Sequence, residues 1–245
     1  MLQTVNKVLH KLGFSLVRDI GPYGHLFSLE DLQDRGFLPA SVLDVGAAQG
    51  MWTEKCLQVY PQASYFLIDP LEENRPRLLA LQAERNNVQF LMTAAGPARG
   101  TAQLRVQDDL DGSSFLEDAD PRFSGRLRQV PVVCIDDLLA ENRLGLPQLI
   151  KIDVQGFELQ VLEGAKRALG VSEVIIMEVS LFSLVKGAPL FHEVSAFMHA
   201  HGYVLYDIAM VIRRPLDQAL AQIDGVFVLQ ESRLRQSHLW YPQGH

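Results

Sequence analysis

Cysteine is nearly absent: only Cys56 and Cys134 occur, and neither has metal-ligand spacing around it. That excludes a disulfide framework and a thiolate metal centre, and two buried free thiols suit a reducing, cytoplasmic setting. Positive charge is short as well. Lysine and arginine number 22 against 29 acidic residues, a net charge of −7, with no basic run. A chain built to grip phosphate backbones carries a basic face, so nucleic acid is not an expected partner. No window approaches 18 uncharged apolar residues, which argues against a transmembrane segment. Internal repeats, low-complexity stretches and Pro/Gly/Ser-rich linkers are missing too, so the 245 residues read as one domain.

What is present is ordinary globular composition, 48% hydrophobic and 21% charged, which excludes a disordered chain. Val5, Val8, Leu9 and Leu12 recur at helical spacing and predict an amphipathic N-terminal helix. Few cations stand near it (Lys7, Lys11, Arg18), so packing on its own domain or on a second subunit of a homodimer is expected before a membrane surface. The expected division is a helical extension over 1–40, a core over 41–230 and a tail over 231–245.

Within the core, buried strands alternate with helices. Short apolar runs predict strands over 41–46, 64–68, 88–95, 149–153, 173–179, 203–208 and 226–229. Helices are predicted over 50–59, 72–84, 157–169 and 190–201. Residues 101–106 alternate like an exposed strand, and 108–125 form a polar segment expected to lie as a loop over the site. The alternation implies a Rossmann-like α/β fold: a mostly parallel, right-handed seven-stranded sheet with helices on both faces. Ligands of such sheets bind at the carboxyl ends of the strands. That puts residues 44–50, Asp69, Ala95 and Asp153 along one crevice.

The first strand runs into Asp44-Val-Gly46-Ala-Ala-Gln-Gly50. A dinucleotide loop reads GxGxxG and closes backbone amides on a pyrophosphate. Here Ala48 replaces the middle glycine. S-adenosylmethionine carries no phosphate and asks only for a tight turn and close backbone approach, which Gly46 and Gly50 allow. Asp69, 25 positions after Asp44, is placed to accept hydrogen bonds from ribose hydroxyls. Asp44, Gly46, Ala47, Gly50, Trp52, Asp69, Pro70, Ala95, Ser114 and Asp153 are the candidate cofactor contacts. Trp52 is assigned to the cleft or to packing against the N-terminal segment.

Several separated motifs resemble one family. Val42-Leu-Asp-Val-Gly-Ala-Ala-Gln-Gly50-Met-Trp52 is similar to the cofactor loop of the FkbM methyltransferases, and so is Leu149-Ile-Lys-Ile-Asp153-Val-Gln-Gly156-Phe-Glu158 with Val161-Leu-Glu-Gly-Ala165. Ile135-Asp-Asp-Leu-Leu139 and Gly187-Ala-Pro-Leu-Phe191 fit the same pattern. The resemblance implies S-adenosylmethionine as cofactor, an antiparallel last strand, and O-methylation of a sugar, glycan or other natural-product hydroxyl. Two departures stand out. The family commonly has Asn at the position of Ala48, and Gln155 replaces a glutamate, so no general base is available at 155.

Methyl transfer to an alcohol needs alignment and loss of the hydroxyl proton. Asp153 is the candidate base, hydroxyl orienter or metal ligand. Glu178, ending the fifth strand, is a second candidate carboxylate, though the pair is not a metal signature. His192 is the nearest histidine to the expected acceptor side and a candidate base. Two alternatives remain. A NAD(P)-dependent oxidoreductase is disfavoured by the missing middle glycine, and a noncatalytic binding module by the retained Asp44, Asp69 and Asp153.

Overall fold

Seven strands form the central sheet, side by side in the order Val88–Met92, Ser64–Asp69, Ser41–Val45, Leu149–Ile152, Val174–Ser180, Leu220–Leu229 and Tyr203–Arg213. They come from a computed structural model that describes residues 27–240. The expected N-terminal helix falls outside the described residues. α1 (Leu29–Asp34) precedes β1 (Ser41–Val45), α2 (Met51–Val59) and β2 (Ser64–Asp69). Then follow α3 (Arg75–Glu84), β3 (Val88–Met92), the short β4 (Ala94–Ala95) and β5 (Gly100–Val106). β6 (Arg126–Val133), α4 (Ile135–Ala140), β7 (Leu149–Ile152), α5 (Glu158–Glu163) and β8 (Val174–Ser180) continue the chain. α6 (Phe191–Ala200) and the long hairpin β9 (Tyr203–Arg213) and β10 (Leu220–Leu229) complete it.

β1, β2, β3, β7 and β8 pair in parallel, and β10 runs antiparallel between β8 and β9. The last strand is thus the antiparallel one, and it enters the sheet rather than extending its edge. Apolar residues face both sides, as a doubly covered sheet requires. Leu43, Val45, Ile150, Ile152, Ile175 and Met177 pack on one face, beside Leu138, Val161 and Met198 of the helices. Val42, Leu67, Ile176 and Val226 pack on the other, beside Leu32, Cys56, Leu57 and Leu78. The registers place the row Asp44, Lys151, Glu178 and Asp224 on this second face, among residues that are otherwise apolar.

Several expected boundaries are corrected. The strand expected over 88–95 breaks at Thr93: β3 stays in the main sheet, while Ala94–Ala95 pairs with β6 in a second sheet ordered β4-β6-β5. β6 itself was not foreseen, because Arg126-Leu-Arg-Gln-Val-Pro-Val-Val133 carries charges and a proline, tolerated because β4 pairs only with Val132 and Val133 and leaves one side of 126–131 an open edge. Residues 101–106 are a strand, but Leu104 and Val106 are buried on Val130 and Val132 rather than exposed. Cys134, expected to be buried, is half-buried at the start of α4, its Sγ 3.2 Å from the Gly164 carbonyl oxygen. Cys56 is buried as expected, and desolvation pushes its thiol pKa up to about 12. The helix expected over 157–169 closes after Glu163, and the acidic start of the one expected over 72–84 is a separate 3-10 turn, Glu72–Asn74. The final two strands are each longer than periodicity suggested.

Candidate active site

The turn after β1 is shaped by close approach. Gly46 has φ +79°, and a Cβ there would stand 1.8 Å from the Asp153 carbonyl oxygen. Only glycine lets the end of β1 and the end of β7 come this close. The amides of Gly46 and Ala47 both donate to the Ile68 carbonyl (2.8 and 3.1 Å), and the Asp153 amide donates to the Val45 carbonyl (2.9 Å). Gly50, also left-handed, starts α2; a Cβ there would press on Leu81 and Leu78. Ala48 holds a left-handed φ of +47°, a conformation that costs a non-glycine residue about 1–2 kcal/mol.

Asp69 braces this turn. Its Oδ2 accepts from the Ala48 amide (2.9 Å), and its Oδ1 accepts from the Leu71 amide and Asn74 Nδ2 (2.9 Å each). The carboxylate is buried, and desolvation raises its pKa against these three donors. It ties the loop after β1 to the turn after β2 while lining the crevice between them.

That crevice has a volume of about 510 Å³, within the span of small-molecule sites, roughly 300–1,000 Å³. Gly46, Ala47, Trp52, Asp69, Pro70, Ala95 and Asp153 all line it. Asp44, Gly50 and Ser114 sit behind the wall. Asp44 Oδ2 accepts from Thr53 Oγ1 (2.6 Å) at the start of α2, and burial lifts its pKa to about 6. Ser114 Oγ donates to the Gln155 carbonyl (2.7 Å), and its backbone pairs with Arg105. It thereby moors the polar 108–125 segment to the turn after β7, while Asp111, Ser113 and Phe115 face the crevice.

Asp153 is gripped on both oxygens: Oδ1 accepts from Gln155 Nε2 (2.9 Å) and Oδ2 from Lys151 Nζ (3.2 Å). Lys151 is 3% exposed and also pairs with Asp224 Oδ2 at 3.6 Å. Burial opposes its charge, but Asp153, Asp224 and Asp44 outweigh that and raise its pKa above the ordinary lysine value. Lys151 carried no assigned role in the sequence. Its signal was a lysine alone inside Leu-Ile-Lys-Ile, a buried strand in which an ammonium persists only beside carboxylates. Asp224 escaped because nothing in sequence links 151 to 224. Its Oδ1 is buried and lacks a hydrogen-bond partner among the described residues.

Glu178 lies opposite Asp224 on β10 and accepts from Gln222 Nε2 (2.7 Å). Burial raises its pKa to about 8, with Asp153 the next cause. Glu158 is buried against the amides of Gly156 and Val154 (3.0 and 3.3 Å), and desolvation raises it to about 7. Gln155 and Gly156 both adopt positive φ, and a Cβ on Gly156 would stand 2.7 Å from the Ala188 Cβ. The segment 187–189 therefore packs directly on the turn after β7. His192 is solvent-exposed in the first turn of α6 and is not brought to the crevice. No three His, Cys, Asp or Glu side chains among the described residues are arranged to hold a metal ion, and no described helix is long and apolar enough to cross a membrane.

The family model of the methyltransferase FkbM domain matches residues 44–205, from the buried Asp44 of β1 into β9. The chain belongs to that family. A curated relative, methyltransferase sdnD of Sordaria araneosa, is 27% identical over 170 residues, covering 57% of this chain and 64% of its own. The chain thus spans less than two thirds of that relative. The crystal structure of methyltransferase FkbM from Methylobacillus flagellatus KT superposes with a TM-score of 0.51 at 17% identity, covering 77% of this chain and 43% of that one. At 17% identity that likeness is one of fold. S-adenosylmethionine is the methyl donor expected from the sequence, and the crevice fits it: close-packed glycine turns where backbone must approach and a carboxylate beside the second strand.

Proposed function

We propose that this FkbM methyltransferase transfers a methyl group from S-adenosylmethionine to a hydroxyl of a small molecule. The observation that carries the proposal is Asp153, a carboxylate one third exposed at the mouth of β7, lining the crevice beside the Gly46 turn and held by Lys151 and Gln155. When bound, S-adenosylmethionine supplies an electrophilic methyl group on a sulfonium.

The chain's own residues supply the rest. Gly46, Ala47 and the main chain around Ala48, with Asp69, Pro70 and Ala95, would hold the cofactor. Asp69 serves mostly through the loop it braces, since three protein donors already occupy its oxygens. Asp153 orients the acceptor hydroxyl and takes its proton as the new bond forms, and Lys151 fixes that carboxylate beside the crevice by its hydrogen bond to Oδ2. Glu178 is buried behind this pair and acts on its electrostatics rather than on the acceptor. His192, exposed on α6, has no part in the chemistry proposed.

The test is calorimetric titration with S-adenosylhomocysteine. Micromolar binding is expected. Absence of binding, with NADH bound instead, would overturn the methyltransferase chemistry proposed for this crevice.

A further inference from the structure

Four apolar side chains reach the lining of the crevice from two separate elements: Met51 and Trp52 at the start of α2, and Met210 and Ile212 on β9. These four residues come from opposite ends of the fold. β9 is the sheet edge, and the antiparallel β10 carries it back past the carboxyl ends of the parallel strands. The register aligns Glu178 of β8, Asp224 of β10 and Met210 of β9, with Ile212 one step further toward the mouth, opposite Gln222. The hairpin thus brings an apolar wall to the site's open end. Met51 and Met210 are 62% and 42% exposed, a cost that an isolated domain has no packing reason to carry at its reactive centre.

Of the eight Asn, Gln, Asp, Ser and Thr side chains that line the crevice, Asp69, Asn74, Thr93, Ser113, Asp153 and Gln155 already bond within the protein. A sugar ring presents a hydroxyl on most of its carbons, and each one buried without a partner costs roughly 1–3 kcal/mol. One hydroxyl at Asp153 with hydrocarbon elsewhere loses nothing of that kind. We infer that the acceptor is a molecule of apolar body with a single hydroxyl directed at Asp153, and that Met210 and Ile212 of the β9–β10 hairpin, with Met51 and Trp52, select it against free sugars. This rests on the proposed methyl transfer and narrows its acceptor.

The test compares two ring alcohols of similar size on protein saturated with S-adenosylhomocysteine: menthol, with one hydroxyl on a hydrocarbon ring, and methyl glucoside, with four. Binding is followed by calorimetry or by shifts of the methionine methyl resonances. Menthol is expected to bind and methyl glucoside not to. Met210→Gln and Ile212→Ser, both on an edge strand, should each weaken menthol about tenfold, about 1.4 kcal/mol, while S-adenosylhomocysteine affinity stays at the wild-type value. Equal binding of both alcohols, binding of the glucoside alone, binding of neither, or menthol affinity indifferent to both substitutions would overturn the inference. Failure of S-adenosylhomocysteine itself to bind would instead strike the underlying function.

Discussion

Gly46 and Asp153, 107 positions apart in sequence, lie in direct contact, the glycine's missing side chain making room for the aspartate's carbonyl oxygen. Gly46→Ala would place a Cβ 1.8 Å from that oxygen in a backbone already at φ +79°. Overpacking and left-handed strain together should cost at least about 3 kcal/mol. Denaturant unfolding should show that loss, and S-adenosylhomocysteine binding should disappear with it. A variant with wild-type midpoint and affinity would show that the two strand ends do not meet.

Ala48 offers the opposite change. Its φ of +47° is strained for alanine, while its amide bond to Asp69 depends only on the backbone. Ala48→Gly should therefore stabilise the protein by about 0.5–1 kcal/mol, the relief of strain exceeding the added freedom of the unfolded chain. Thermal unfolding checks it. A lower melting temperature would mean that the turn is not left-handed there.

Asp69→Asn keeps the shape and removes one acceptor. An amide cannot accept on both sides at once, so the Ala48 amide or the Leu71–Asn74 turn loses its partner. The expected loss is about 1–3 kcal/mol of stability, with S-adenosylhomocysteine affinity reduced at least about tenfold. Cofactor affinity that survives the substitution would remove Asp69 from the cofactor site.

Lys151 pairs with the carboxylates of both Asp153 and Asp224, so its removal strands them. Lys151→Met should destabilise by about 3–5 kcal/mol. Adding Asp224→Asn should recover part of that loss, because one of the two unpaired charges is gone. Strictly additive costs in the double variant would refute the coupling.

Stability should depend on pH through the buried acids. Glu178 and Glu158 have folded-state pKa values raised by burial to about 8 and about 7, above the ordinary 4.5. The folded state therefore binds more protons than the unfolded chain between these limits, and stability falls as pH rises from about 4.5 to about 8. Glu178→Gln mimics the protonated side chain and retains an oxygen for Gln222, so it should flatten the slope and leave the variant more stable than wild type above pH 8. An unchanged slope would place the titration elsewhere.

Much of this protein follows from its sequence alone. Buried strands such as Ser41–Val45 and Leu149–Ile152 are apolar on both faces, Asp44 and Lys151 apart, because helices cover both, and each is followed by a small or polar residue, Gly46 or Asp153, where the sheet meets the crevice. Period and punctuation are local properties, so the parallel sheet, the Gly46 turn, Asp69 and Asp153 were legible. What tertiary structure decided depends on contacts between distant segments. The break at Thr93 arises because Ala94–Ala95 finds β6 as a partner, and β6 was hidden by the charges and proline that its position permits. His192 carries a plausible residue type but lies on an exposed helix face, and helical phase beside a loop of irregular length is not set by local pattern. Lys151 meets Asp224, and the β9 hairpin reaches the crevice that α2 also lines, only because an antiparallel strand inserted between β8 and β9 folds the end of the chain back over the site. Local sequence chooses the elements; the sheet order chooses which side chains share the crevice.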